Sequence, residues 1–178
     1  GMLAGGFTVR YPAPVVGSIT PETGVNSGPV AITNLSGSGF RPGAAVTFAK
    51  LGEPDIGATG VTVVHRGKIT CTVNLAGAAA GLWNIVVVND DGQYGFLTNA
   101  FSVEYPAPTV TSITPSRGAN DGPVVISALK GSGFRPGATV QLTRNGQSPI
   151  LATNITVVNQ TTITCIFDLS GEATESWN

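Results

Sequence analysis

Few side chains in this sequence are of a kind that carries chemistry, and their spacing decides most of what they can do. There is one histidine, His65, and 94 residues further on the matching position holds Asn159. A histidine-based acid, base or nucleophile-activating site recurring along the chain is therefore excluded. Two cysteines, Cys71 and Cys165, stand the same 94 residues apart, in Ile69-Thr70-Cys71-Thr72-Val73 and Ile163-Thr164-Cys165-Ile166-Phe167. No histidine or second cysteine neighbours either one in sequence, so both read as small apolar core residues rather than metal ligands or nucleophiles.

The remaining candidates are polar turns and exposed rings. Asn89-Asp90-Asp91-Gly92 offers oxygen atoms to a cation such as calcium, but it lacks the ligand spacing of a calcium loop, and Asp-Gly is a favoured hairpin pair. Asp90, Asp91 and the nearby Tyr94 are the residues expected to touch a ligand if there is one, because a sugar site asks for an exposed aromatic platform beside polar groups. Tyr11 and Tyr105 are the other tyrosines expected to be exposed, whereas Trp83 and Trp177 lie beside apolar strand sequence and read as core. Asn34-Leu35-Ser36, Asn154-Ile155-Thr156 and Asn159-Gln160-Thr161 are acceptor sequons for N-glycosylation. Gly37-Ser38-Gly39 shares glycines with a dinucleotide fingerprint, yet its sixth position is Pro42 and no helical pattern follows. No Gly-x-Ser-x-Gly elbow exists. No catalytic residue, metal or cofactor is assigned, and the chain reads as a non-enzyme.

The elements that would hold these residues repeat. Gly37-Ser38-Gly39-Phe40-Arg41-Pro42-Gly43-Ala44 returns as Gly131-Ser132-Gly133-Phe134-Arg135-Pro136-Gly137-Ala138, and the same offset of 94 residues carries Tyr11 to Tyr105 and Trp83 to Trp177. The octapeptide has the residues of a corner: glycines for unusual backbone angles, a phenylalanine to plug a core, and Pro-Gly for the centre of a type II turn. Strands are expected over Val15–Thr20, 29–35, 45–51, 59–65, 68–75, 82–88 and 96–103, with 22–28 and 52–57 as turns. The alternation of Ile69, Cys71, Val73 and Leu75 against Thr70, Thr72 and Asn74 marks a half-buried strand. Ile85-Val86-Val87-Val88 suits a central, covered one, and the alanines at 76–80 are open to a single helical turn.

A repeat of this length is one small domain, so the chain holds nearly two. Tyr11-Pro12-Ala13-Pro14 and Tyr105-Pro106-Ala107-Pro108 read as semi-rigid extended linkers. Residues 11–104 are expected to form one complete domain and 105–178 a second that lacks the stretch matching 85–104. Residues 1–10 would carry the last strand of a preceding repeat, with Leu3, Phe7 and Val9 inward, because Gly1-Met2-Leu3-Ala4-Gly5-Gly6-Phe7-Thr8-Val9 lines up with 95–103. The whole thus reads as a fragment of a longer array, and residues 3–9 of one molecule are expected to dock head to tail on the second domain of another. Charged residues are only 11 % and the formal net charge is −1, so there is no basic patch for nucleic acid or an anionic membrane. The longest apolar run is too short to span a bilayer. Gly (24) and Pro (12) are frequent, which suits short strands joined by tight turns.

About seven short strands in under 100 residues is the pattern of an immunoglobulin-like β-sandwich. The order of Pro14-Val15-Val16-Gly17-Ser18-Ile19-Thr20-Pro21, Gly28-Pro29, the Gly-x-Gly-Phe-x-Pro-Gly corner and Gly81-Leu82-Trp83-Asn84-Ile85-Val86-Val87 with its Asn-Asp-Asp-Gly turn resembles the IPT/TIG domain. The resemblance implies an all-β, early-set sandwich with no catalytic residues of its own. The expected role is a stalk, spacer or adhesive module of an extracellular cell-surface protein. Its partners would be neighbouring domains of the same protein, surface proteins or glycans. The competing expectation is a carbohydrate-binding module.

Overall fold

A computed structural model of the chain describes residue 7 and residues 10–178. The strand expected over residues 3–9 lies outside the described residues apart from Phe7, which is irregular and 88 % exposed. The chain divides into two compact units, Gly1–Pro106 and Ala107–Asn178.

The first unit is an immunoglobulin-like sandwich. One sheet has the order β1-β3-β7-β6, from β1 (Val15–Thr20), β3 (Pro29–Ser38), β7 (Lys68–Asn74) and β6 (Thr59–His65). The other runs β2-β9-β8-β4-β5, from β2 (Thr23–Val25), β9 (Tyr94–Glu104), β8 (Gly81–Val88), β4 (Ala45–Ala49) and β5 (Ile56–Gly57). Period-two alternation sends Ile69, Cys71 and Val73 of β7 and Trp83, Ile85 and Val87 of β8 into one core, where they meet Ile32, Leu35, Phe40, Phe48 and Phe101. Phe48 and Phe101 pack edge to face with centroids 5.1 Å apart.

Several elements depart from the sequence expectation. The stretch 22–28, expected as a turn, contains β2, which pairs in parallel with β9 through Thr23↔Ser102 and Val25↔Glu104. Gly24 is what brings β2 so close: a Cβ there would lie 2.8 Å from Leu75 Cδ1 and 2.9 Å from Phe101 Cζ. The expected break at 52–57 holds the short strand β5, and β3 runs on into the first two residues of the octapeptide. β8 is central but covered on one face only, because Asn84, Val86 and Val88 are half-buried and Leu82 is exposed. The alanine stretch is a turn, closed by Ala78 N–H donating to Leu75 O at 2.9 Å, and no helix occurs among the described residues.

The second unit repeats the first sheet as β10-β11-β15-β14, from β10 (Thr109–Thr114), β11 (Pro123–Ser132), β15 (Thr162–Asp168) and β14 (Thr153–Asn159). The register is conserved at the 94-residue offset, with Ile126↔Cys165 matching Ile32↔Cys71 and the same irregularity following each. β12 (Gln141–Leu142) and β13 (Ile150–Leu151) pair as β4 and β5 do. Asn178 exchanges backbone hydrogen bonds with Thr143 at 2.7 and 2.8 Å, as the start of a β8 counterpart would. Trp177 Nε1–H donates to Ala173 O at 3.1 Å, repeating the 2.9 Å bond from Trp83 to Ala79 O. The described residues of this unit contain no counterpart of β9.

Candidate functional site at the corner loop

The octapeptide carries the chain from β3 to β4 and so from one sheet to the other. At Gly37 a Cβ would fall 2.0 Å from Val15 O and 2.5 Å from Phe40 Cζ, so only glycine lets β1, β3 and the Phe40 ring meet there. Phe40 is fully buried, which pins the loop to the core. Arg41-Pro42-Gly43-Ala44 is then a type II turn, closed by Ala44 N–H donating to Arg41 O at 3.0 Å, with Gly43 at φ 85°. Ala138 and Arg135 make the same 3.0 Å bond, and Gly137 has the same φ.

The turn aims Arg41 at the β8–β9 hairpin. Its Nε lies 3.1 Å from Asp90 Oδ1 and its Nη1 2.9 Å from Asp91 Oδ2. Its guanidinium stacks 4.1 Å from the centroid of the Tyr11 ring, and the Arg66 guanidinium lies 6.0 Å from the same centroid. Gln93 Nε2–H donates to Tyr11 O. Beneath these groups Asn89 is only 3 % exposed: its Oδ1 accepts Arg41 N–H at 3.1 Å, and its Nδ2–H donates to Gly39 O at 2.9 Å. Asn89 N–H donates to Gln93 O and Gly92 N–H to Asn89 O, closing the hairpin turn. One buried amide therefore ties the corner to the hairpin, and one guanidinium ties both to Tyr11.

Two of the residues expected to touch a ligand, Asp90 and Asp91, thus face Arg41. Among the described residues no group of three or more His, Cys, Asp or Glu side chains gathers to hold a metal. The third, Tyr94, opens β9 and is 61 % exposed, and Phe96, two residues on along the same face, is 58 % exposed. Phe96 was not foreseen as a surface residue. The signal was its parity, since buried Phe101 and Val103 place even-numbered residues of this strand outward.

The sequon asparagines are scattered. Asn34 is half-buried in β3, paired with Thr20. Asn154 is exposed in β14 at φ 49°, where the first unit has Gly60 at φ 59°. Asn159 Oδ1 accepts the Thr161 N–H and hydroxyl, both at 2.9 Å. His65 Nδ1 accepts Gly67 N–H in an exposed turn. Cys71 and Cys165 are buried and free, and burial pushes the Cys71 thiol up to about 11. The cluster around Arg41 accordingly has the chemistry of a lock: a cation paired with two carboxylates, a stacked ring and a buried amide.

No protein-family model matches the chain, and no curated protein matches it. Among solved structures, the full extracellular region of plexin A4, domains 1 to 10, is similar over 90 % of this chain at 17 % identity, with a TM-score of 0.39. The chain spans 13 % of that structure's length.

Proposed function

We propose that the chain is a non-catalytic spacer of an extracellular protein, built from tandem sandwiches of the IPT/TIG type. The observation that supports this reading is the seating of Tyr11, the first residue of the Tyr-Pro-Ala-Pro linker, on Arg41 and Gln93 of the domain it leads into. A linker whose prolines favour extended geometry and whose first residue is stacked and hydrogen-bonded has few ways to swing. The residues that serve the role are the linker prolines, Tyr11, Arg41, Asn89 and the corner glycines. A spacer needs a linker held against its domain, and a spin label at Ala13 measures whether this one is held. An immobilised spectrum that Arg41→Ala sets free is expected, and a freely tumbling label in the unaltered chain overturns the reading.

A carbohydrate-binding role is the second reading, supported by the outward Tyr94 and Phe96 on one face of β9. Rings standing side by side on a sheet suit the apolar face of a sugar. A glycan array probed with the whole chain, beside Tyr94→Ala and Phe96→Ala, separates the two. Binding lost in both variants makes β9 a recognition surface. No binding favours the spacer.

A further inference from the structure

The sequence holds three pairs in which an asparagine or aspartate precedes a glycine: Asp91-Gly92, Asp121-Gly122 and Asn145-Gly146. Such a pair can react with itself, because the glycine nitrogen has no neighbouring Cβ to shield it and reaches the side-chain carbonyl carbon by closing a five-membered ring. The structure separates the three. Asp91 Oδ2 is held by Arg41 Nη1 at 2.9 Å and its Oδ1 accepts Gln93 N–H at 3.1 Å, while Gly92 N–H donates to Asn89 O at 3.0 Å, so both reacting groups are engaged. Asp121 presents a carboxylate, whose negative charge resists a nucleophile. Asn145 presents a neutral amide.

Asn145 and Gly146 stand at the tip of the β12–β13 hairpin, both exposed. Gln147 N–H donates to Arg144 O at 3.2 Å and Gly146 has φ 76°, which makes them the two central residues of a type II turn. Among the described residues neither the Asn145 side chain nor the Gly146 N–H has a hydrogen-bond partner, and a Cβ at Gly146 would meet nothing within 4 Å. The first unit shows what this turn requires. Its counterpart, Leu51-Gly52, makes the same turn, with Glu53 N–H donating to Lys50 O at 3.0 Å and Gly52 at φ 83°. The backbone therefore does not call for asparagine there, and Leu51 has no group that could react.

We propose that Asn145 is a site of spontaneous deamidation, with water as the only reagent. The Gly146 nitrogen, giving its proton to hydroxide, attacks Asn145 Cγ. The N–Cγ bond forms, the Cγ–Nδ2 bond breaks, and the departing nitrogen takes up a proton and leaves as ammonia, closing a succinimide. Water then opens the ring at one of its two carbonyls. Opening at Cγ yields aspartate, and opening at the main-chain carbon yields isoaspartate, with the backbone rerouted through Cβ and Cγ. Reaching Cγ takes a rotation about the Asn145 Cα–C bond, and a turn closed by one exposed hydrogen bond opens at little cost. Each event adds one negative charge beside Arg144, in a chain whose formal net charge is −1. The second unit thus ages at a position where the first cannot.

Incubation of the full chain at mildly alkaline pH, followed by peptic digestion in acid and mass spectrometry, tests it. The expected result is conversion of Asn145 into two products of equal mass, about tenfold or more faster than at any other asparagine, because only Gly146 leaves the attacking nitrogen unshielded. The rate should climb with pH, since the nitrogen attacks without its proton. Gly146→Ala should slow it about tenfold or more, and Asn145→Leu should abolish it. The first unit folds with leucine in the same turn, so the second variant keeps the fold, which circular dichroism checks. An Asn145 that stays intact in the folded chain yet converts in urea overturns the proposal, because the turn then protects it. Conversion spread equally over the asparagines, or a rate indifferent to Gly146→Ala, overturns it as well.

Discussion

Gly37 and Cys71 show how much one position can decide. Gly37→Ala places a methyl group within 2.0 Å of a backbone oxygen in the paired strand, and backbone cannot step aside as a flexible side chain can. A loss of about 3 kcal/mol is expected in the first unit, measured by urea unfolding with Trp177→Phe so that Trp83 alone reports. Cys71 answers to pH. Burial raises its thiol from 9.0 to about 11, so the unfolded chain releases the proton first as pH climbs. Its contribution to stability is therefore complete below pH 9 and lost between 9 and 11, and a thiol reagent at pH 8 should label it only under denaturing conditions. The glycines, Phe40 and the apolar character of Cys71 were legible in the sequence because each follows from local geometry or alternation. The role of Arg41 was not, since its partners come from Tyr11 on one side and Asp90 and Asp91 on the other, far along the chain.

Among the elements, the β8–β9 hairpin depends on Asn89 more than its acidic turn suggests. Asn89→Ala removes the acceptor for Arg41 N–H and the donor to Gly39 O at a buried site. Leaving such groups unpaired should destabilise the first unit by about 2–3 kcal/mol, and amide exchange should quicken at Arg41. Asp90→Asn, at an exposed ion pair, should change stability by less than about 1 kcal/mol. Strands with strict alternation, such as β7, could be read directly. β2 could not, because three residues containing a glycine look like a turn until β9 is alongside. β8 misled in another way, its unbroken apolar run suggesting cover on both faces where the structure has it on one.

For the whole molecule, the two units differ in how much they bury. Among the described residues, the first has a core reaching from Val16 to Val103, while the second buries fewer side chains. Thermal unfolding should therefore show two transitions, with Trp177 reporting the earlier one and Trp83 the later. A single transition shared by both tryptophans would contradict this. The parallel pairing of β2 with β9 has a different kind of consequence. Tension applied at the two ends of the first unit enters on the β1–β2 side and leaves through Glu104. Strands that run the same way, pulled from opposite ends, slide along each other rather than peel apart. The bonds from Ser102 N–H to Glu22 O and from Asn26 N–H to Glu104 O, at 2.8 and 2.9 Å, are then strained together and must break together. An unzipping hairpin yields one bond at a time; this unit meets a pull in shear.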